Sequence, residues 1–180
     1  FLWGPRQAGK SFLLREKFKN AFWVNLLNTE EFIELQARPS LLRERIRHLP
    51  KSSWVIIDEV QKVPLLLDEV HNIIETQGLR FGLCGSSARK IRRGHANLLG
   101  GRAFRFELTG LVSKEVRDDF NLDRMINFGY LPRYYEMSAL NEKDTQRGLR
   151  SYCADYLKEE IAAEALVRNL PEFSRFLEAA

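Results

Sequence analysis

Eight residues near the start of the chain, Gly4-Pro5-Arg6-Gln7-Ala8-Gly9-Lys10-Ser11, match the pattern G-x-x-x-x-G-K-[ST] at every fixed position. A loop that wraps a phosphate with its backbone N–H groups must take conformations that a Cβ obstructs, which accounts for glycine at both ends. A helix starting near Lys10 turns its unpaired N–H groups and the positive end of its dipole toward the same anion. The Lys10 ammonium then reaches the β- and γ-phosphates of a nucleotide, and the Ser11 hydroxyl is a hard oxygen ligand for Mg²⁺. A second group lies 47 residues beyond Ser11, where the apolar run 54–57 ends in Asp58-Glu59. Asp58 suits a metal ion held opposite Ser11, and Glu59 suits orienting and deprotonating a water. An acidic pair after a strand is otherwise a helix cap or a solvated loop; the spacing from Ser11 favours metal and water. A water-activating base beside a γ-phosphate fits a hydrolase and not a small-molecule kinase.

The elements that must hold these residues alternate through the first two-thirds of the chain. Residues 1–3 are the tail of a strand that enters the glycine-rich loop. A helix over 11–19 follows, with Leu14 and Phe18 on one face. Residues 21–26 form a β-rich run, Asn28-Thr29-Glu30-Glu31 starts a short helix, and Pro39-Ser40 opens another with Leu42, Ile46 and Leu49 at helical spacing. The run 54–57 is a strand covered on both faces. Pro64 starts a helix lined by Leu66, Val70, Ile73 and Ile74, and strands follow over 79–84 and 103–108. Strands joined through helices imply right-handed crossovers and a parallel sheet, with Asp58 at the carboxyl end where such sheets place ligands.

From about residue 111 the strand pattern stops. Residues 121–128 form a short helix closed by Gly129, with Pro132 just beyond. Residues 144–161 form an amphipathic helix whose stripe is Leu149, Tyr152, Cys153, Tyr156, Leu157 and Ile161, read as core packing. A last helical segment starts near Pro171. The expected division is a nucleotide-binding core over 1–112, a short helical lid or connector over 113–140, and the helical start of a truncated C-terminal domain over 141–180. The chain begins inside a strand and stops while its helical pattern still runs, as a piece of a longer protein would.

Composition narrows the class. The 180 residues are 44% hydrophobic and 29% charged, which is globular. No apolar run reaches the roughly 18 residues that cross a bilayer, so no membrane span is expected. Two cysteines, Cys84 and Cys153, make no disulfide framework and suit a reducing cytoplasm. His48, His71 and His95 have no ligand spacing, and no zinc site is expected. The net charge of +4 is local: residues 76–106 hold seven basic residues and no acid, and without them 21 basic residues face 24 acidic ones. That window is expected to flank the γ-phosphate.

With both motifs in view, the chain resembles the AAA-type branch of P-loop ATPases. It is most similar to the prokaryotic members written G-P-R-Q-x-G-K-S … D-E-x-Q … G-S-S-A … G-R that carry a C-terminal domain of unknown function. The residues in question are Gly4 to Ser11, Asp58-Glu59-Val60-Gln61, Gly85-Ser86-Ser87-Ala88 and Gly101-Arg102. The resemblance implies a three-layer α/β sandwich around a five-stranded, mainly parallel sheet. In it, the strand ending at Cys84 lies between the loop strand and the Asp58 strand. It implies ATP and Mg²⁺ as ligands, with Gly4 through Phe12 holding the nucleotide and Arg6 covering it. It brings Ser86 or Ser87 to the γ-phosphate as a sensor, or leaves them as a helix cap. Arg102 becomes a γ-phosphate sensor in its own subunit, an arginine finger across an interface, or an ordinary ion-paired surface arginine.

Three functions follow. The first is Mg²⁺-dependent hydrolysis of ATP at the β–γ bond, acting as a nucleotide switch. The second is a nucleotide-gated scaffold with negligible turnover. The third is a nucleic-acid-associated ATPase, for which charge placement is the only support and a solvated basic face the favoured alternative. A homo-oligomer or a protein partner would engage the C-terminal helical part.

Overall fold

The strands are short runs of branched and aromatic residues, covered on both faces by helices whose apolar stripes face inward. The computed structural model describes residues 1–86, 99, 101–139, 141–156, 172, 173 and 175. The chain divides into two compact units, Phe1–Thr109 and Gly110–Ala180.

In the first unit, β1 (Leu2–Trp3), β2 (Phe22–Asn25), β3 (Trp54–Asp58), β4 (Arg80–Gly85) and β5 (Phe106–Glu107) form one sheet in the order β2-β3-β4-β1-β5. Every neighbouring pair is parallel. The strand through Cys84 does lie between the loop strand and the Asp58 strand. The register sets one transverse row across the whole sheet: Asn25, Asp58, Cys84, Leu2 and Phe106. The phosphate-loop sequence starts two residues past that row.

Alternation along the strands separates two cores. Val55 and Ile57 join Val24 and Leu83 beneath α2 (Thr29–Ala37), α3 (Leu41–Ile46) and α4 (Leu66–Gln77), which contribute Leu35, Leu42, Ile46, Leu66, Val70 and Ile73. Ile56 and Cys84 face the other way and pack with Leu14 of α1 (Lys10–Lys17). Asp58, two residues beyond Ile56, therefore falls on the α1 side. This is the three-layer α/β arrangement expected of a P-loop NTPase.

Local chemistry explains most boundaries. Asn28 caps α2, its side chain accepting from Glu30 N at 2.9 Å and Glu31 N at 3.2 Å. Gly78 closes α4 in the left-handed region at φ 65°. Pro64 does not begin that helix: a turn from Val63 to Leu66 and another from Pro64 to Leu67 precede it. The expected strand 103–108 narrows to Phe106–Glu107, although Leu108 N still donates to Trp3 O at 2.7 Å.

The second unit is helical: α5 (Ser113–Val116), a 3-10 turn (Arg117–Asp119), α6 (Leu122–Phe128), α7 (Pro132–Ser138) and α8 (Glu142–Tyr156). Asn121 caps α6 and Gly129 ends it, as its sequence implied. α7 falls within the expected helical connector, to which the sequence gives no separate bounds. It places Tyr135 at 1% exposure, with its hydroxyl donating to Asp119 O at 2.6 Å and accepting from Asn121 N at 3.1 Å. The stripe on α8 is narrower than expected. Leu149 and Tyr152 are half-buried, Cys153 and Tyr156 are exposed, and Leu157, Ile161 and the segment from Pro171 fall wholly or mostly outside the described residues. Tyr152 meets Tyr134 edge-on at 5.9 Å between ring centroids.

Candidate nucleotide site

The loop between β1 and α1 owes its path to two glycines. A Cβ on Gly4 would collide with the carbonyl oxygen of Leu108, so the edge strand β5 leaves room for hydrogen alone. Gly9, immediately before α1, sits at φ 90° and ψ 13°, which side chains disfavour. Gln7 adopts φ 65° without being glycine, a strain inside the loop that its sequence does not signal. Ala8 N bonds back to Pro5 O at 3.4 Å and closes the turn.

Lys10 is 6% exposed and lies along the loop, its Nζ donating to Gly4 O at 2.9 Å and Pro5 O at 2.8 Å. The ammonium thus occupies the cradle side of the loop. Arg6, Gln7, Gly9, Lys10, Ser11, Phe12, Leu27, Glu59, Gln61 and Lys62 line one open cleft of about 650 Å³. The loop and the base expected from sequence therefore meet at one place. Gly4, Pro5 and Ala8 stand behind this lining and shape it.

Asp58 is also behind the lining, 4% exposed at the end of β3. Its Oδ1 accepts the Cys84 thiol at 2.8 Å, the two residues being direct partners in the β3–β4 register. Burial foremost, and then the neighbouring Asp58 carboxylate, push the Cys84 thiol pKa strongly upward. Cys84 therefore stays a neutral donor.

Glu59 follows in the left-handed region, φ 59° and ψ 41°, uncommon for a residue of its type and a recurrent mark of functional positions. Its carboxylate accepts from the Gln61 amide nitrogen, which also lies 3.3 Å from Ser86 Oγ. Lys62 donates to Leu26 O at 2.7 Å and stands 4.5 Å from the Phe32 ring.

A triphosphate fits this donor set: backbone N–H groups at the start of α1, a buried ammonium, and a hydroxyl at the cleft wall. A Mg²⁺ ion fits Ser11 and Asp58 only if phosphate and water complete its oxygen shell, since no cluster of three or more His, Cys, Asp or Glu exists among the described residues.

Arg102 is not among the cleft residues; its Nε pairs with Glu75 at 2.6 Å near the end of α4, which leads into the start of β4. Of the fates open to Arg102, the ion-paired surface arginine is the one this contact matches. Of the basic window, Arg80, Arg102 and Arg105 are not among the described residues that line the cleft, and Arg89, Lys90, Arg92 and Arg93 lie outside the described residues. Ser87 lies outside them as well, while Ser86 reaches the cleft through Gln61.

Neither Gln61 as a cleft residue nor Cys84 as a partner of Asp58 is marked by residue type or spacing in the sequence. Neighbouring strands bring Cys84 and Asp58 near each other, and the register that sets them level is seen only in the structure. No helix among the described residues is long and apolar enough to cross a membrane. A family model described as AAA domain matches residues 1–117, a span that contains both the loop and Asp58-Glu59. No curated protein matches the chain.

Proposed function

Since the chain belongs to the AAA domain family, we propose that it binds ATP with Mg²⁺ in the cleft and hydrolyses the β–γ phosphoanhydride bond. The observation that carries the reading is the shared cleft: Lys10, Ser11 and Glu59 line one cavity, with the buried carboxylate of Asp58 behind it.

Each residue has a definite task. The N–H groups opening α1 and the Lys10 ammonium bind the phosphates, Lys10 exchanging its loop carbonyls for phosphate oxygens. Ser11 and Asp58 would hold Mg²⁺, which supplies positive charge to the phosphate oxygens when bound. Glu59 accepts a proton from a water as that water's oxygen attacks the γ-phosphorus. The bond from phosphorus to the bridging oxygen breaks, and ADP leaves with that electron pair. Phe12 and Arg6 border the same cleft and contact the remainder of the nucleotide.

Hydrolysis of this kind suits a switch, in which the nucleotide state biases the protein's engagement with another copy or a protein partner through its helical part. The reading extends to the prokaryotic branch with a C-terminal domain, on the strength of Gly85-Ser86-Ser87-Ala88 and Gly101-Arg102. Ser86 is the sensor in this reading, and a role for Arg102 belongs to a neighbouring subunit's site.

The experiment is phosphate release from ATP by the purified protein, with and without a chelator. Mg²⁺-dependent release with ADP as co-product supports the proposal. Tight ATP binding without turnover would replace it with the scaffold reading.

A further inference from the structure

Gln61 sits in the 3-10 turn Val60–Lys62, directly after the αL residue Glu59, and its side chain reaches into the cleft. Three facts fix how it lies there. A carboxylate can only accept, so the amide nitrogen must face Glu59. The same nitrogen is within 3.3 Å of Ser86 Oγ at the end of β4. The amide oxygen is then turned against Gly85, where any Cβ would collide with it. That oxygen is buried and has no hydrogen-bond partner among the described residues. A buried acceptor without a protein partner is an unfavourable arrangement that calls for an explanation.

We propose that Gln61 is the positioning residue for Glu59, tying the base at the end of β3 to Ser86 at the end of β4 through one amide. This rests on the reading of Glu59 as the hydrolytic base. Gln61 takes Oε2 of the carboxylate and leaves Oε1 for water. Because the same nitrogen meets Ser86, a displacement of Ser86 is passed to Glu59 across two strands. The left-handed backbone of Glu59 and the amide together aim the carboxylate, and either alone leaves it free to swing.

The test combines kinetics with a measurement that needs no turnover. Gln61→Met keeps the side chain's length and removes the donor. Its kcat should fall about tenfold to a hundredfold while ATP affinity stays within about twofold, the signature of lost aim rather than lost binding. Gln61→Glu, which replaces the donor by a like charge, should fall at least as far. In the nucleotide-free protein, the Gln61 side-chain amide resonance should move when Glu59 is replaced in Glu59→Ala. An unchanged kcat, an affinity loss as large as the kcat loss, or an amide resonance indifferent to Glu59→Ala each overturns the proposal. If Gln61→Met does not fold, the resonance still decides. If the wild-type protein shows no turnover, the functional reading fails, and the resonance separately reports whether Gln61 holds Glu59.

Discussion

The thiol of Cys84 donates a hydrogen bond to Oδ1 of Asp58 over 2.8 Å, between two residues that are direct neighbours across parallel strands. One carboxylate oxygen of the candidate metal ligand is thereby fixed from behind, on the α1 face of the sheet, by a neutral donor. Cys84 has 0% exposure and a thiol pKa held far above its ordinary value, by burial first and by the Asp58 charge next.

This makes the two cysteines differ sharply. Cys153 is exposed and Cys84 buried, and neither is in a disulfide. Thiol-reactive labelling of the folded protein near pH 8, read by mass spectrometry, should mark Cys153 and spare Cys84 until denaturant is added. Removing the donor in Cys84→Val should cost about 1–3 kcal/mol in urea unfolding, because a buried carboxylate loses a partner. Cys84→Ser, which keeps a donor, should cost less.

Lys10 is the second test. Its ammonium is buried against two loop carbonyls, so Lys10→Met removes both the phosphate contact and the loop's own tie. ATP affinity should weaken about tenfold to a hundredfold, as expected for charge-assisted hydrogen bonds worth about 1.5–3 kcal/mol. Isothermal calorimetry measures it directly. Affinity equal to that of the unmodified chain would place the phosphates elsewhere.

The helical unit has its own pivot in Tyr135. Its hydroxyl bridges Asp119 O and Asn121 N, and the Arg124 guanidinium lies 4.0 Å from the ring centroid. Tyr135→Phe keeps the ring and loses the bridge. A loss of about 1–2 kcal/mol in stability is expected, measured by thermal or chemical unfolding. A neutral substitution would mean that solvent replaces the hydroxyl at no cost.

The residues themselves explain what could be read in advance. The phosphate loop and the Asp58-Glu59 pair were legible because backbone cradling and metal chemistry restrict residue type at fixed spacing. The position of the Cys84 strand followed from the resemblance to a known family. α7 was not legible, because Pro132 after Gly129 reads equally as the end of one helix or the first residue of the next. The partner of Arg102 was not legible, because a basic residue carries no mark of what it pairs with; Glu75 is 27 positions away in sequence and adjacent in space. Gln61 was hidden for a related reason. Its task depends on the left-handed turn at Glu59 and on the approach to Gly85, and both are tertiary facts.

Hydrolysis at this cleft depends most on Glu59, so the decisive measurement compares ATP turnover and ATP affinity in Glu59→Gln with those of the unmodified protein. Turnover should fall about a hundredfold or more while affinity stays within about threefold, because the base is lost and the cradle is not. Turnover that survives the substitution, or affinity that falls as far as turnover does, would contradict the assignment.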